Sequence, residues 1–309
     1  MRELIFLKPV LKERIWGGSR LSEFGYELPS DSIGECWGIS AHPKGDCEIR
    51  GGSFEGLTLS SLWENHRELF GGSNSKDFPL LIKILCAKTD LSIQVHPDDA
   101  YANVHENGSI GKNECWYILD SERNASVVIG HNAGTEEEAR QMMAEGRWKE
   151  FLRERRVKKG DFYSIPSGTI HSIKAGTMIF ETQQNCDITY RLYDYDRLQN
   201  GKPRTLNVEK CFDMLSFPYI EDKPERTVYT VDDCKCERLI ACPFYTVEHL
   251  QLDGDASFET KDTFLAMSVV EGEGNLDGVT IRKGDHFLIP FGYGEYHISG
   301  KLEIMMSYV

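Results

Sequence analysis

Apolar and polar residues alternate with a period of two in several short stretches of this chain. In Ile93-Gln94-Val95-His96 the two apolar side chains point to one face of a strand, and Gln94 and His96 point to the other. Residues 1–55 and 79–131 carry further short apolar runs, separated by turns rich in Gly, Pro, Ser and Asp. The pattern predicts a mainly β protein.

Two segments have helical spacing instead. Apolar positions between Leu59 and Phe70 recur every three or four residues, and Gly71-Gly72 is expected to end this helix. Thr135 followed by Glu138 matches a capping box, which predicts a charged helical insertion at about 134–156. A stretch rich in Pro and charged residues at 220–226 predicts a linker between a domain at 1–220 and a domain at 221–309.

One segment of the chain is repeated. Residues 282–292 (Arg-Lys-Gly-Asp-His-Phe-Leu-Ile-Pro-Phe-Gly) copy residues 158–168 (Lys-Lys-Gly-Asp-Phe-Tyr-Ser-Ile-Pro-Ser-Gly). The repeat predicts a C-terminal lobe built like the first. His171 follows the first copy and His297 follows the second, but residues 265–272 contain no counterpart of Gln94-x-His96. We therefore expect a degenerate C-terminal domain without a metal site.

Four residues form a candidate metal site. Gln94 and His96 share a strand face, Glu114 follows in the next apolar run, and His171 comes after a Pro/Gly turn. These oxygen and nitrogen donors suit one borderline divalent ion per chain, such as Zn²⁺, better than a soft metal. Gln94 is the weakest donor, and its alternative role is to hydrogen-bond a neighbouring group while water takes the vacant position. Because imidazoles bind metals in the neutral form, we expect affinity to weaken below pH about 6.

Composition narrows the classes of partner. The 309 residues carry a formal net charge of −14, which argues against general binding to nucleic acids or anionic membranes. The longest apolar run, at 79–87, is interrupted by Lys83 and is too short to cross a bilayer, and the N-terminus does not resemble a signal peptide. Nine scattered cysteines are typical of buried thiols in a reducing compartment. We expect a cytoplasmic protein.

Longer segments resemble the mannose-6-phosphate isomerase (phosphomannose isomerase) family, in its short bacterial form, within the cupin superfamily. These segments are Ser-Ile-Gln-Val-His-Pro-Asp (92–98), Gly-Lys-Asn-Glu-Cys-Trp-Tyr (111–117), Tyr-Arg-Leu-Tyr-Asp-Tyr-Asp-Arg (190–197), Lys-Pro-Val (8–10), Ile-Trp-Gly-Gly (15–18) and Gly-Glu-Cys-Trp-Gly-Ile-Ser (34–40). The resemblance implies two cupin-type (jelly-roll) β-barrel lobes with a helical insertion. It also implies a metal-dependent aldose-ketose isomerase that interconverts mannose 6-phosphate and fructose 6-phosphate through an enediol.

The resemblance implies roles for three further residues. Lys112 would contact the substrate, either as a phosphate partner or as the proton-transfer group, and desolvation beside a cation would lower its pKa. Arg191 matches the active-site arginine of the family and would hold a developing oxyanion or the phosphate, whereas its alternative is a salt bridge at the barrel rim. Glu181 could orient a ligand, pair with Arg191 or act as the general base.

Two weaker candidates remain for the sugar pocket. Ser92 could donate to a phosphate or simply bond to the backbone, and Trp16 could line the pocket or pack over the neighbouring glycines. The alternative functions are another metal cupin, such as a glucose-6-phosphate isomerase or an iron oxygenase, and a non-catalytic sugar-binding cupin. The oligomeric state stays open. Three residues without a motif are expected at the surface: His105, Glu106 and His131.

Overall fold

Short strands account for most of the regular structure in the computed structural model, which describes residues 2–71, 73, 75–260 and 262–309. The helices are short, and none of them is long and apolar enough to span a lipid bilayer. They are α1 (Leu59–Asn65), α2 (Asp99–His105), α3 (Glu136–Ala144), α4 (Trp148–Phe151) and α5 (Val208–Met214), with 3₁₀ helices at Arg20–Phe24 and Arg67–Phe70.

The strands follow the predicted mainly β pattern. In chain order they are β1 (Ile5–Lys8), β2 (Val10–Gly18), β3 (Ile33–Ser40), β4 (Glu48–Arg50), β5 (Leu80–Ala87), β6 (Ile93–Val95), β7 (Glu114–Ser121), β8 (Ser126–His131), β9 (Leu152–Arg156), β10 (Phe162–Ile165), β11 (His171–Ile173), β12 (Thr177–Gln184), β13 (Tyr190–Tyr193), β14 (Leu198–Gln199), β15 (Lys202–Pro203), β16 (Thr227–Val231), β17 (Cys234–Ala241), β18 (Thr246–Glu259), β19 (Leu265–Leu276), β20 (Val279–Arg282), β21 (His286–Ile289) and β22 (Glu295–Tyr308).

These strands form three large sheets in layers. The central sheet has the order β10-β7-β12-β5-β3-β2, and the outer sheet has the order β13-β6-β11-β8-β9. The C-terminal sheet runs β16-β17-β18-β22-β19-β21-β1-β4, with β20 beside β19. One apolar core, with Trp116 and Ile129, contains side chains of the central and outer sheets, and a second, with Ile84 and Met305, contains side chains of the central and C-terminal sheets. The central sheet is thus buried on both faces, which explains why β5 is almost continuously apolar.

Residues from the N-terminus complete the C-terminal sheet. Strand β1 pairs with β21 on one edge, where Ile5 faces Leu288, and with β4 on the other, where Leu7 faces Ile49. A boundary at residue 220 would therefore assign strands of this one sheet to two different domains. The division into two domains at that position stays a prediction.

The first predicted helix is confirmed and the second is partly wrong. Helix α1 begins after Thr58, whose hydroxyl accepts a hydrogen bond from the Ser61 N–H, and Gly71 has the left-handed φ of 77° that ends the following 3₁₀ turn. Gly72 lies outside the described residues. Thr135 caps α3 as predicted, but the helical insertion does not continue to residue 156. Gly146 adopts a φ of 70°, and residues 152–156 form a strand paired with β8.

The sequence repeat has a structural counterpart. Gly160 and Gly284 occupy the same left-handed conformation, with φ of 90° and 92°. In each copy the carboxylate of the next residue, Asp161 or Asp285, accepts a hydrogen bond from the backbone N–H three residues earlier. Each copy then enters a short strand, β10 or β21. The predicted similarity of these two segments is therefore confirmed at the level of the turn.

His286 lies where the central and C-terminal sheets meet. The hydroxyls of Tyr26 and Ser268 contact its two ring nitrogens at 2.8 Å each. The ring also packs on Gly38 of β3, where a Cβ would lie 2.3 Å from the imidazole Cε1. Burial lowers the pKa of His286 to about 3, so the folded protein keeps this imidazole neutral.

This neutral imidazole should make folding sensitive to acid. Between pH about 6.5 and 3 the unfolded chain binds a proton at residue 286 that the folded chain does not, so the free energy of unfolding should fall as the pH falls. The slope for one such histidine is at most about 1.4 kcal/mol per pH unit. Urea unfolding across this window should give a shallower pH dependence for His286→Gln than for the wild type. Equal slopes would contradict the assignment.

Candidate metal centre and active site

Two facing sheets bring the four candidate ligands together. Gln94 lies in β6 of the outer sheet, His96 follows that strand, and His171 begins β11 directly opposite Gln94. Glu114 begins β7 of the central sheet. One donor atom from each of His96, Glu114 and His171 lies within 4.8 Å of the other two, and all three residues are buried. The sequence prediction that these side chains converge agrees with this geometry.

The Nε2 atoms of the two histidines face the carboxylate. His96 Nε2 lies 3.4 Å from Glu114 Oε2, and His171 Nε2 lies 3.5 Å from Glu114 Oε1. The side-chain amide of Gln94 adds a fourth group, with its Nε2 3.2 Å from His171 Nε2. Its oxygen instead accepts a hydrogen bond from the Ser92 hydroxyl at 3.3 Å. Gln94 therefore acts as a hydrogen-bonding neighbour in this structure, and its side chain lies close enough to His171 to serve as a metal ligand as well.

Backbone carbonyls fix the tautomer of each histidine. His96 Nδ1 lies 2.8 Å from the Ile188 carbonyl oxygen, and His171 Nδ1 lies 2.9 Å from the Thr169 carbonyl oxygen. A carbonyl only accepts hydrogen bonds, so each Nδ1 carries the proton and each Nε2 presents its lone pair towards Glu114. Bonds of this kind orient metal-binding imidazoles in proteins.

Burial sets the charge states that a cation needs. Burial and the nearby Lys112 lower the pKa of His96 to about 3, and burial also lowers the pKa of His171. Burial alone would raise the pKa of Glu114, but Lys112 and the two imidazoles hold it well below its usual range. The site therefore combines two neutral imidazoles with one carboxylate anion. The sequence-based expectation that metal affinity weakens below pH about 6 assumed an ordinary imidazole pKa. His96 does not have that ordinary pKa.

The two carboxylate oxygens of Glu114 are evidence that a metal ion binds at this site. Both are buried, and neither accepts a hydrogen bond of normal geometry from the described residues. A buried carboxylate needs compensating positive charge. Lys112 Nζ, 2.6 Å from Oε2, supplies it to one oxygen, whereas Oε1 faces only the His171 imidazole among the described residues. Together with two imidazole lone pairs, the two carboxylate oxygens form a donor set that fits a divalent ion.

Lys112 lies beside this donor set, as its position two residues before Glu114 predicted. Its Nζ is 2.6 Å from Glu114 Oε2 and 3.1 Å from His96 Nε2. The predicted lowering of its pKa depends on a neighbouring metal cation and stays a prediction; the groups of the protein itself act in the opposite direction. Burial alone would lower the pKa of Lys112. The carboxylates of Glu114 and Glu181 have the larger, opposite effect, so the pKa lies above its ordinary value.

A row of four side chains crosses the central sheet next to the ligands. Trp37, Lys83, Glu181 and Trp116 are direct neighbours on β3, β5, β12 and β7. Lys83 Nζ lies 3.2 Å from Glu181 Oε1, and the Trp116 indole N–H donates to Glu181 Oε2 at 3.0 Å. The Glu181 carboxylate is therefore fixed on both sides. Burial and the nearby Glu114 raise its pKa.

Lys83 is a site residue that the sequence analysis missed. It is only 5% exposed and takes the place of Arg191 as the ion-pair partner of Glu181. The signal was present, because a lysine inside an otherwise continuous apolar strand must be paired when the strand is buried. The ion pair between Glu181 and Arg191 that the sequence left open is not formed.

Glu35 extends the row of charges towards solvent. Arg14 holds its carboxylate through two hydrogen bonds of 2.7 and 3.0 Å, and the Trp37 indole N–H donates to it at 2.6 Å. Burial would raise the pKa of Glu35, but Lys83 and Arg14 lower it to about 2. Glu35, like Lys83, lines the active-site cavity and was not predicted.

A cavity of about 770 Å³ opens over this region. Its size is typical of a small-molecule site, and its lining is mainly polar and charged, which suits a hydrophilic ligand. The predicted site residues that line it are Trp16, Ser92, Gln94, Lys112, Glu181 and Arg191.

Arg191 lines the cavity with a guanidinium that is not paired with any described residue. It lies in β13 directly opposite Gln94 in β6. Its Nε is buried without a hydrogen-bond partner, and no ion pair joins Arg191 to a described carboxylate. Burial, and then the charge of Arg204, lower its pKa. The alternative of a rim salt bridge is therefore wrong, and the guanidinium is available to an anionic ligand.

Trp16 and Ser92 both line the cavity, and both also make contacts within the protein. Trp16 is 4% exposed and packs on Gly34, where a Cβ would lie 2.6 Å from the Trp16 Cζ3, but it also lines the cavity. Ser92 lines the cavity too, although its hydroxyl donates to the Gln94 side chain. Their roles in substrate binding stay predictions.

The residues expected to lie outside the metal site differ in their exposure to solvent. His105 is exposed, as predicted, and Glu106 is partly exposed. The prediction for His131 is wrong, because this residue is fully buried at the end of β8, with Nε2 3.1 Å from the Ser216 carbonyl oxygen. His297 is half-exposed and lies 3.3 Å from Asp255, and within the described part of the chain no group of three metal-binding side chains includes it.

Comparison with known proteins identifies the family. A model of the phosphomannose isomerase type I catalytic domain matches residues 4–136, and a model of the mannose-6-phosphate isomerase cupin domain matches residues 235–309. A mannose-6-phosphate isomerase of Bacillus subtilis is 47% identical over 312 residues, covering 99% of both chains. The chain belongs to the mannose-6-phosphate isomerase family.

Further members of the mannose-6-phosphate isomerase family match along the whole chain. The enzyme of Streptococcus mutans is 43% identical over 317 residues, covering 100% of this chain and 99% of that protein. A crystal structure of the mannose 6-phosphate isomerase from Bacillus subtilis superposes with a TM-score of 0.96, at 43% identity and with 99% of each chain covered. These matches confirm the resemblance and the mainly β, cupin-containing fold class that the sequence predicted.

Proposed function

We propose that this chain interconverts mannose 6-phosphate and fructose 6-phosphate by moving a proton between C1 and C2 through an enediol. Membership of the mannose-6-phosphate isomerase family supports the activity. The observation that supports the mechanism is the cavity, which Lys112, Glu181 and Arg191 line together with the candidate ligand Gln94. Lys112 also contacts the buried candidate ligand Glu114.

The enzyme is metal-dependent, and its ligands in this proposal are Gln94, His96, Glu114 and His171. When bound, a divalent ion would polarise the substrate oxygens and lower the cost of negative charge on the enediolate. We propose Zn²⁺ because the donors are two imidazoles, a carboxylate and an amide.

Glu181 is the general base in this scheme. Its raised pKa makes it a stronger base than an ordinary carboxylate, and Lys83 and Trp116 hold its two oxygens in fixed positions. Lys112 has a raised pKa and stays protonated at neutral pH, so it suits stabilisation of negative charge on the substrate. Arg191 would face the oxygen on which the enediolate charge develops.

Replacing Lys112 by arginine tests this division of roles. Arginine keeps the positive charge but removes a titratable amine, so we expect turnover to fall by less than about ten-fold if Glu181 transfers the proton. Steady-state kinetics on mannose 6-phosphate would be measured on protein with confirmed metal content, because Lys112 contacts two ligands. A loss of about a hundred-fold with metal content intact would instead make Lys112 the proton-transfer group.

A coupled assay on mannose 6-phosphate, with metal analysis of the same sample, tests the function itself. We expect turnover together with about one divalent ion per chain. Turnover of glucose 6-phosphate alone would favour the other isomerase, and bound iron with oxygen uptake would favour an oxygenase. An inert protein that still binds sugar would favour a non-catalytic cupin.

The proposed substrate and the free cysteines both support a cytoplasmic location. Sugar phosphates are metabolites of the cytosol, and all nine cysteines of the chain are free thiols, eight of them buried. We therefore place the enzyme in the cytoplasm.

A further inference from the structure

The C-terminal sheet repeats the strand order of the central sheet. The central order β10-β7-β12-β5-β3-β2 has the counterpart β21-β19-β22-β18-β17-β16. The sequence repeat anchors this correspondence, because residues 158–168 contain β10 and residues 282–292 contain β21. Cross-strand partners in one sheet can therefore be matched with cross-strand partners in the other. The similarity of the two sheets extends well beyond the repeated turn.

A leucine takes the place of the candidate ligand Glu114 in the C-terminal sheet. In β10, Ile165 is the direct partner of Glu114. The residue that matches Ile165 in the repeat is Ile289, and its partner in β19 is Leu265. An apolar side chain cannot bind a cation, so the C-terminal sheet has no metal ligand at this position.

The position of the proposed base is apolar as well. Trp116 and Glu181 are partners on β7 and β12. The register matches Trp116 with Met267 and Glu181 with Met306, which are partners on β19 and β22. Both methionines are buried. The C-terminal sheet therefore has no proton-transfer group at the position of Glu181.

A buried carboxyl group stands where the central sheet carries Lys83. Glu248 on β18 is the cross-strand neighbour of Met306, as Lys83 is of the proposed base, and it is 2% exposed. The hydroxyls of Tyr229 and Tyr308 donate hydrogen bonds to its two oxygens. Cross-strand neighbours share one face of a sheet, so Glu248 and Met306 face the same side. An acidic group thus replaces a basic one.

A second cavity, of about 220 Å³, opens on this face of the C-terminal sheet. Leu265 and Met306, the counterparts of Glu114 and Glu181, line it. The edge strands contribute in the same way, since β2 lines the main cavity and β16 lines the second one. The other lining residues are Tyr229, Val231, Ser257, Phe258, Glu259 and Tyr296. The second cavity thus occupies the place that the active site has in the first lobe.

The lining of the second cavity suits an uncharged, hydroxylated ring. The aromatic rings of Tyr229, Phe258 and Tyr296 line it, and the last two stack with centroids 5.5 Å apart. The C–H faces of a pyranose pack on aromatic rings, and its hydroxyls can bond to Ser257 and Glu259. Among the described residues, no lysine, arginine or histidine lines this cavity. A phosphate dianion would therefore meet carboxyl groups without a compensating cation.

We propose that the second cavity binds an uncharged monosaccharide. Its volume is smaller than that of a typical drug-sized site and suits one pyranose ring. The aromatic rings hold the apolar faces of the sugar, and the carboxylate of Glu259 accepts hydrogen bonds from its hydroxyls. Among the described residues none lines both cavities, so binding here does not depend on the proposed reaction.

Methyl α-D-mannopyranoside is a suitable probe of this site. It carries no phosphate, and its glycosidic ring cannot open, so an isomerase reaction cannot consume it. In the full-length, metal-loaded protein with carbon-13 methyl-labelled methionine, its titration should shift the NMR signal of Met306 saturably, whereas Met143 of α3 should not respond. The Met306→Leu variant assigns the signal. Absence of a saturable shift at Met306 would overturn the proposal.

Two competitors define the class of ligand in the wild-type protein. Mannose 6-phosphate should fail to displace the glycoside from the second cavity, because its phosphate is an anion. Cyclohexanol, a ring of similar size with a single hydroxyl, should bind about ten-fold more weakly or worse, because it leaves polar groups of the site unpaired. Displacement by mannose 6-phosphate would overturn the assignment to an uncharged ligand. Equally tight binding of cyclohexanol would show an apolar pocket rather than a sugar site.

Phe258→Ala should weaken binding of the glycoside by about ten-fold, because it removes one stacking face, and Phe258→Tyr should restore it. Phe291→Ala is the matched control, since Phe291 is exposed in the same lobe and lies outside the residues that line the second cavity. Circular dichroism would check that each variant is folded. Equal affinity of Phe258→Ala and the wild type would contradict the proposal. If Phe258→Ala does not fold, the two competition experiments on the wild type still decide it.

Discussion

Removal of the divalent ion is expected to lower turnover of mannose 6-phosphate by about a thousand-fold or more. Stabilisation of the enediolate charge by a Lewis acid is worth several kcal/mol, and about 4 kcal/mol corresponds to this factor. No side chain of the cavity supplies an equivalent doubly charged centre. Dialysis against a chelator should abolish activity in proportion to the metal lost, and titration with Zn²⁺ or another small divalent ion should restore it.

Glu114→Gln provides a matched version of this experiment. The amide keeps the shape of the side chain but removes the carboxylate anion that lies 3.4 and 3.5 Å from the two imidazoles. We expect the variant to lose its metal at chelator concentrations that leave the wild type loaded. Activity that persists after elemental analysis shows the metal to be gone would reject the metal-dependent mechanism.

The pH dependence of metal loss gives a further check on the site. Because the pKa of His96 is about 3, protonation of this ligand should not compete with the ion between pH 7 and about 4. Loss of metal with a midpoint near pH 6 would mean that the imidazoles are more accessible to water than their burial indicates.

Replacing Arg191 by alanine is expected to reduce kcat by about a hundred-fold or more, with little change in KM. The loss corresponds to about 3 kcal/mol of stabilisation given only to the developing oxyanion. Metal content should be unchanged, because Arg191 forms no ion pair with the described carboxylates and its Nε has no protein partner. Steady-state kinetics and elemental analysis of the same sample would measure both.

Arg156→Ala serves as the control for this variant. Arg156 is exposed at the end of β9, outside the residues that line the cavity, and its loss should leave kcat unchanged. A pure rise in KM for Arg191→Ala would place Arg191 in phosphate binding. Loss of metal or of folding would instead make Arg191 a structural residue.

The sequence contained enough information to locate the metal centre. Alternation alone places Gln94 and His96 on one strand face, and the family resemblance links them to Glu114 and His171. The structure brings these four residues together, and their roles as ligands stay predictions. Sequence patterns and motifs can predict these positions because each of the residues lies in its own short, recognisable segment.

The supporting charges could not be predicted in the same way. Lys83 and Glu181 are partners only because β5 and β12 pair in one particular register, and that register depends on contacts far apart in sequence. Glu35 of β3 likewise acquires its ion-pair partner, Arg14, from the neighbouring strand β2. His131 was misjudged for a related reason, since the backbone that accepts its hydrogen bond belongs to residue 216. Long-range strand order, rather than local composition, decides these positions.

The pairing of β1 with β21 has a consequence for synthesis on the ribosome. Ile5 is made well before its partner Leu288, which lies 283 residues (288 − 5) further along the chain. At elongation rates of about 5–20 residues per second, roughly 15–55 s separate the two. During this interval β1 can pair with β4, but its other edge carries unsatisfied backbone donors and acceptors that could join a neighbouring nascent chain. Nascent chains should therefore be vulnerable to misassembly, and in need of chaperones, until β21 has been made and pairs with β1.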